Sequence, residues 1–242
     1  MHQKKSLSQN FLIDKNICKK IASTTIIENK NILEIGPGKG ILTDIIIQKK
    51  PKKLYLVEKD DNLSIYLQKK YKKYEDVIII NNDILNFDIK KISKLNIISN
   101  LPYNVSTKII LKLIKDNNEN NNIKEMVFMI QKEVALKFDY NLPKMNKYKL
   151  FTKLLSYYTR SFDVTPKVFN PRPKVNSSVV KFILNTNKVN FQKLERFNNI
   201  IFNNMRKKLS NKFKHKTIDN IIGDKRINEI NIDDLLKIYY SF

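Results

Sequence analysis

This chain predicts an α/β fold in which helices cover both faces of a parallel sheet, with a small helical domain behind it. Three observations carry that expectation. Short apolar runs alternate with amphipathic segments through the first half of the chain, as in strands joined by crossover helices. Three of the four glycines fall within Gly36-Pro37-Gly38-Lys39-Gly40, directly after the apolar run Asn31-Ile32-Leu33 and Glu34-Ile35. A backbone there must turn tightly and let a ligand come close. Beyond about residue 186 strong strand signals stop and helical spacing takes over, so the expected domains are 1–185 and 186–242.

Taken in order, residues 31–35, 53–58, 77–81, 96–99 and 125–131 read as strands, being short and rich in Ile, Leu and Val. Stretches around 41–49, 61–73 and 105–115 mix apolar and polar residues at helical spacing and fill the gaps between them. The run Asn117-Asn118-Glu119-Asn120-Asn121-Asn122 reads as a solvated, low-complexity loop. Residues 179–184 form a last strand, and 191–242 continue as helix.

Composition narrows the function. At 242 residues the chain is long enough for one full-sized domain with an appendage. Its formal charge of +23 suits a polyanionic partner such as nucleic acid, although 41 of the 46 cations are lysine, as a biased genome would also produce. Cys18 is the only cysteine, and His2 and His215 lie near opposite ends. These numbers give no material for a disulfide framework, a Cys/His metal cluster or a histidine-based triad, so no metal is expected. No apolar stretch approaches a membrane span and the start lacks the apolar core of an export signal, so a cytoplasmic protein, or an organellar equivalent, is expected.

In open parallel sheets ligands lie beyond the carboxyl ends of the strands. Here those ends are polar: Glu34 and the glycine turn, Glu58, Asp83, and Asn100-Leu101-Pro102-Tyr103. Glu58 follows Gly36 by 22 residues, a spacing at which an acid can receive ribose hydroxyls. Each feature alone is ordinary, since a glycine turn can be only a turn and an acid only a cap. Together at one edge they indicate a nucleoside-containing ligand. The turn reads Gly-x-Gly-x-Gly with Pro37 inside it, which disfavours the Gly-x-Gly-x-x-Gly of dinucleotide sites. It resembles motif one of the S-adenosylmethionine-dependent methyltransferases, a Rossmann-like fold. That resemblance implies that Gly36 and Gly38 approach the cofactor's amino-acid moiety, that Glu58 holds the ribose, that Asp83 meets the adenine amino group and that Asn100 also contacts the cofactor.

Asn100-Leu101-Pro102-Tyr103 resembles the Asn-x-Pro-Tyr motif of enzymes that methylate planar exocyclic amino groups. The lone pair of such a nitrogen is delocalised into its ring and is a poor nucleophile. Hydrogen bonds from its N–H groups to the Asn100 side-chain oxygen and the Pro102 carbonyl would favour a pyramidal nitrogen and aim the lone pair at the methyl donor. Tyr103 would stack on the base once it has left its helical stack. An Asn-Leu-Pro-Tyr turn that merely ends a strand is the plainer alternative.

The chain also resembles, nearly end to end, the rRNA adenine N6,N6-dimethyltransferase family of the small-subunit (16S), KsgA type. Lys4-Lys5-Ser6-Leu7-Ser8-Gln9-Asn10-Phe11-Leu12-Ile13-Asp14 is similar to the family's N-terminal segment, which implies that Asn10 and Leu12 contact S-adenosylmethionine. Ser8 stands where the family usually has glycine. Met129-Ile130-Gln131-Lys132-Glu133-Val134-Ala135 and Phe169-Asn170-Pro171-Arg172-Pro173-Lys174-Val175-Asn176-Ser177 match two further segments, and the second implies that Phe169 is the other aromatic wall of the base pocket. Read alone, Phe169 is ordinary core. Tyr148-Lys149-Leu150 lacks the glycine found in relatives at that place. Residues 202–209 resemble the family's basic helix in the C-terminal domain, so Arg206, Lys207 and Lys208 are expected to meet rRNA phosphates. A solvated helix face is the bland alternative.

The resemblance implies a methyltransferase domain, a small rRNA-binding domain, and a monomer. The cofactor would be S-adenosylmethionine, and the partners small-subunit rRNA and the assembling small ribosomal subunit. The reaction would be double methylation of N6 on two adjacent adenines near the 3′ end of that rRNA. Competing readings are an assembly checkpoint factor with weak or lost methylation, a large-subunit rRNA dimethyltransferase, and a protein or DNA amino-group methyltransferase.

Overall fold

A computed structural model describes residues 10–213 and 220–242. The N-terminal residues through Gln9, Ser8 among them, lie outside the described residues, as does His215. In chain order the elements are β1 (Phe11–Leu12), α1 (Lys15–Ala22), β2 (Asn31–Ile35), α2 (Ile41–Gln48), β3 (Lys53–Glu58), α3 (Asp61–Tyr71), β4 (Val77–Asn81), β5 (Leu95–Asn100) and α4 (Ser106–Asn120). They continue as β6 (Ile123–Gln131), α5 (Lys132–Phe138), α6 (Lys147–Leu155), β7 (Ser156–Val164), β8 (Phe169–Asn170), β9 (Ser177–Leu184), α7 (Phe191–Phe202), α8 (Asn220–Gly223) and α9 (Ile232–Ser241).

Seven strands pair in the order β4-β3-β2-β5-β6-β9-β7, and β1 pairs with β8 in a separate two-stranded ribbon. The five strands from β4 to β6 are parallel, as the alternation of strand and helix predicts. Their central residues, among them Ile32, Leu33, Leu54, Leu56, Ile97 and Ile98, are fully shielded from solvent, which is why those runs read as continuously apolar. β9 departs from the expected parallel arrangement. It runs antiparallel to β6, pairing Glu125 with Ile183 and Gln131 with Ser177. Only the short 3-10 turn Pro166–Val168 and β8 lie between β7 and β9, whereas a parallel return needs a crossover of a dozen or more residues, usually an α-helix. β7 has no counterpart in the sequence reading, because this outermost strand exposes most of its side chains and carries no continuous apolar run.

Two compact units divide the chain. One runs to Ala135 and resumes from Thr159 to Leu184; the other comprises Leu136–Tyr158 and Asn185–Phe242. Leu136–Tyr158 thus groups with Asn185–Phe242 although it precedes β8 and β9 in the chain. In that second unit Phe197 anchors an aromatic cluster, with Phe213, Tyr239 and Phe242 at 5.9, 5.3 and 5.3 Å between ring centres. Buried Lys149 donates to the carbonyls of Leu142 and Pro143 at 2.6 and 2.8 Å and so ties down a loop.

Two local expectations are corrected. The asparagine-rich run is not a solvated loop: α4 extends to Asn120, Asn117 is buried, and its side-chain oxygen accepts from the Ile123 amide at 2.7 Å. Asn122, also buried, donates to Ile89 and Ile92 carbonyls, and Asn121 takes the left-handed conformation (φ 52°) that ends the helix. Asparagine fits these places because its short amide satisfies buried backbone groups that water does not reach. The basic segment 202–209 is likewise not a helix. α7 stops at Phe202, Asn204 has φ 50°, and Lys208 bridges to Arg226. Consecutive asparagines are poor helix formers that accept a left-handed turn.

Candidate active site

The carboxyl ends of β2 to β5 converge on a cavity of about 260 Å³ in the first unit. Asn10, Leu12, Gly36, Gly38, Glu58, Asp83, Asn100, Pro102 and Tyr103 all line it. Phe169 does not; it is buried behind Tyr103, edge to face, with ring centres 6.5 Å apart and planes at 70°. Arg206, Lys207 and Lys208 lie in the other unit, exposed, with Lys208 paired to Asp224 at 2.9 Å.

The glycine turn is shaped for close approach. Gly36 and Gly38 both have φ 59°, a left-handed backbone that side chains resist. A Cβ on Gly36 would point into open space, whereas one on Gly38 would stand 2.9 Å from the Phe11 ring. Phe11 is carried by β1, whose ladder pairs Leu12 with Phe169. The Lys39 ammonium lies over the Phe11 ring at 5.5 Å.

Glu58 closes the turn from β3. One carboxylate oxygen accepts from the Gly38 amide at 3.2 Å and the other from the Asp60 amide at 2.9 Å. Burial pushes its pKa up, and these two amides oppose the shift by favouring the charged form. A carboxylate has about four acceptor positions, so lone pairs remain for two further donors. Asp83 accepts from the Leu85 amide at 2.9 Å and pairs with Lys59 at 2.7 Å. Partial burial raises its pKa, but Lys59 and the Leu85 amide outweigh that and hold it below the usual carboxylate range.

Asn100 ends β5. Its amide nitrogen donates to the Asn10 carbonyl at 3.3 Å, while Oδ1 is buried without a hydrogen-bond partner. An unpaired buried acceptor is unfavourable by about 1–3 kcal/mol, so the fold keeps it at a loss in stability. The Pro102 carbonyl accepts only the long 3.3 Å bond from Val105 N, leaving a lone pair over. The Tyr103 hydroxyl shares a 2.6 Å hydrogen bond with Ser177, and burial raises its pKa.

Two residues outside those assigned from the sequence matter here, Glu34 on the cavity wall and Ser177 behind Tyr103. Glu34, noted there only as a strand end, is buried and accepts from Thr43 at 2.7 Å. Burial, opposed by that hydrogen bond, pushes its pKa up to about 8. Ser177 closes the loop 169–177 matched in the sequence, but only the 2.6 Å distance to Tyr103 shows which group it serves.

The model of the family described as ribosomal RNA adenine dimethylase matches residues 1–241. The chain is 43% identical over 227 residues to the ribosomal RNA small subunit methyltransferase A of Pelagibacter ubique, covering 90% of this chain and 84% of that protein. To the protein of the same name from Hydrogenobaculum it is 34% identical over 241 residues, covering 98% and 92%. Among solved structures, a dimethyladenosine transferase from Plasmodium falciparum superposes with a TM-score of 0.80 at 24% identity, over 94% of this chain and 95% of that one, a likeness of fold.

Proposed function

The chain belongs to the ribosomal RNA adenine dimethylase family, and on that footing we propose that it transfers methyl groups from S-adenosylmethionine to N6 of two adjacent adenines near the 3′ end of small-subunit rRNA. The product is N6,N6-dimethyladenosine, formed as the small subunit matures in the cytoplasm or an organellar equivalent, by a monomeric enzyme. The observation that carries this reading is the unpaired, buried Oδ1 of Asn100 on the cavity wall. A site built to receive an N–H donor leaves such an acceptor waiting.

The residues fit the cofactor. Gly36 opens onto space where a ligand's chain can lie against backbone, Glu58 retains acceptor capacity for ribose hydroxyls, and Asp83 sits at the next strand end for an adenine amino group. Asn10 and Leu12 line the same cavity. S-adenosylmethionine supplies a methyl group already activated on a sulfonium sulfur. Asn100 Oδ1 and the Pro102 carbonyl accept from the two N–H groups of the target amine, favour its pyramidal form and direct its lone pair. Proline suits this task because its fixed φ holds the carbonyl in place. Tyr103, which borders the cavity, stacks on the extruded base, and Phe169 behind it faces the base only once the Tyr103 ring turns. After one transfer a single N–H remains, so Asn100 and Pro102 cannot both be satisfied and the base re-orients before the second. Arg206, Lys207 and Lys208 meet rRNA phosphates and fix register rather than chemistry.

The test is transfer of labelled methyl from S-adenosylmethionine to unmethylated small ribosomal subunits, followed by nucleoside analysis. N6,N6-dimethyladenosine in the 3′ region is expected. Subunit binding without label would replace the enzyme by an assembly factor, and label on large subunits alone would redirect the substrate.

A further inference from the structure

A flat base held between two aromatic rings needs them parallel and about 7 Å apart, twice the ~3.5 Å contact distance. Tyr103 and Phe169 are already 6.5 Å apart between centres, but their planes meet at 70°. Separation is nearly right and orientation is not, so one ring must turn. Phe169 is 2% exposed and packs in the core with Leu12, Val164 and Val179. Tyr103 borders the cavity and is the ring free to move.

How it moves is constrained at both ends. Its backbone carbonyl accepts from Ser106 Oγ at 3.1 Å, and its hydroxyl shares the 2.6 Å bond with Ser177, which is wholly buried at the start of β9. With the Cβ end and the hydroxyl end both fixed, the remaining freedom is rotation about the ring's long axis, a broad torsion with low barriers. We propose that Ser177 is a positioning residue that pins the Tyr103 hydroxyl, so that the ring turns in place to stack on the target base instead of swinging away from it. This rests on the base-methylation reading above. Ser177 itself touches neither base nor cofactor.

The experiment measures kcat and KM on unmethylated small subunits for wild type, Ser177→Ala, Tyr103→Phe and the double variant. Each single change removes the same hydrogen bond and is expected to lower kcat about tenfold while KM for subunits stays within about twofold, because docking rests on phosphate contacts remote from the ring. The double variant should fall no further than either single, the signature of one shared interaction. Wild-type kcat in both singles, a change confined to KM, or losses that multiply in the double variant would each overturn the pin. Should Ser177→Ala fold poorly, Tyr103→Phe reads the same bond from its less buried partner. A wild-type protein that transfers no methyl would remove the functional reading and this inference with it; an active wild type with unaffected variants removes only the inference.

Discussion

Asn100 is tied at one end of its amide, to the Asn10 carbonyl, and left open at the other. That asymmetry makes a sharp prediction. Asn100→Ala relieves an unpaired buried acceptor, so stability is kept or gained while methyl transfer falls by at least ~10²-fold, the loss typical of one oriented group acting in the transition state. Calorimetric titration with S-adenosylmethionine should show near-native affinity in the same variant; wild-type turnover would dispose of the mechanism. Glu34 carries a second prediction. Its carboxyl, ordinarily titrating near 4.5, is pushed by burial to about 8. Between those values the folded protein holds a proton that the unfolded chain has released, so the neutral form's contribution is complete below pH 4.5 and is lost as pH rises toward 8. Glu34→Gln cannot ionise. Its Tm advantage over wild type should therefore grow by ~2 °C or more from pH 5 to 8, and a pH-independent difference would mean that Glu34 titrates normally.

Among elements, the strands were easiest to read and the smallest pieces hardest. β2 to β6 announce themselves because strands buried on both faces must be apolar throughout. β1 and β8, two residues each, have no periodicity to detect; they exist because Phe11 and Leu12 find Asn170 and Phe169 across the fold. That ribbon joins Leu12 on the cavity wall to the buried ring of Phe169. The asparagines at the end of α4 are hard to read for a different reason. Composition marks them as solvated, whereas Asn117 and Asn122 bond buried backbone at the entry to β6 and in the turn that precedes β5. Asn117→Ala strands the Ile123 amide, so urea unfolding should show a loss of about 1–3 kcal/mol. An unchanged midpoint would restore the run to the role of a passive linker.

For the whole molecule, net charge is the property with longest reach. A protein at +23 that binds rRNA releases counterions, so its affinity for small subunits should fall steeply with salt. Arg206 and Lys207 are exposed on the turn that follows α7. Changing either to Gln should lower the magnitude of the slope of log K against log salt by about one unit, with cofactor affinity unchanged. Lys208 already pairs with Asp224 and should matter less. Identical slopes in filter binding across a KCl series would place the rRNA contacts elsewhere. Local chemistry is legible along the chain as the parallel strands, the glycine turn, the acids at strand ends and the Asn-Leu-Pro-Tyr tetrapeptide, since apolar runs and backbone-restricted residues act within a few positions of themselves. Tertiary structure alone decided the antiparallel β9, the assignment of Leu136–Tyr158 to the second unit, the unpaired oxygen of Asn100 and the bond between Tyr103 and Ser177. Each depends on groups distant in sequence meeting in space, and no local pattern encodes such a meeting.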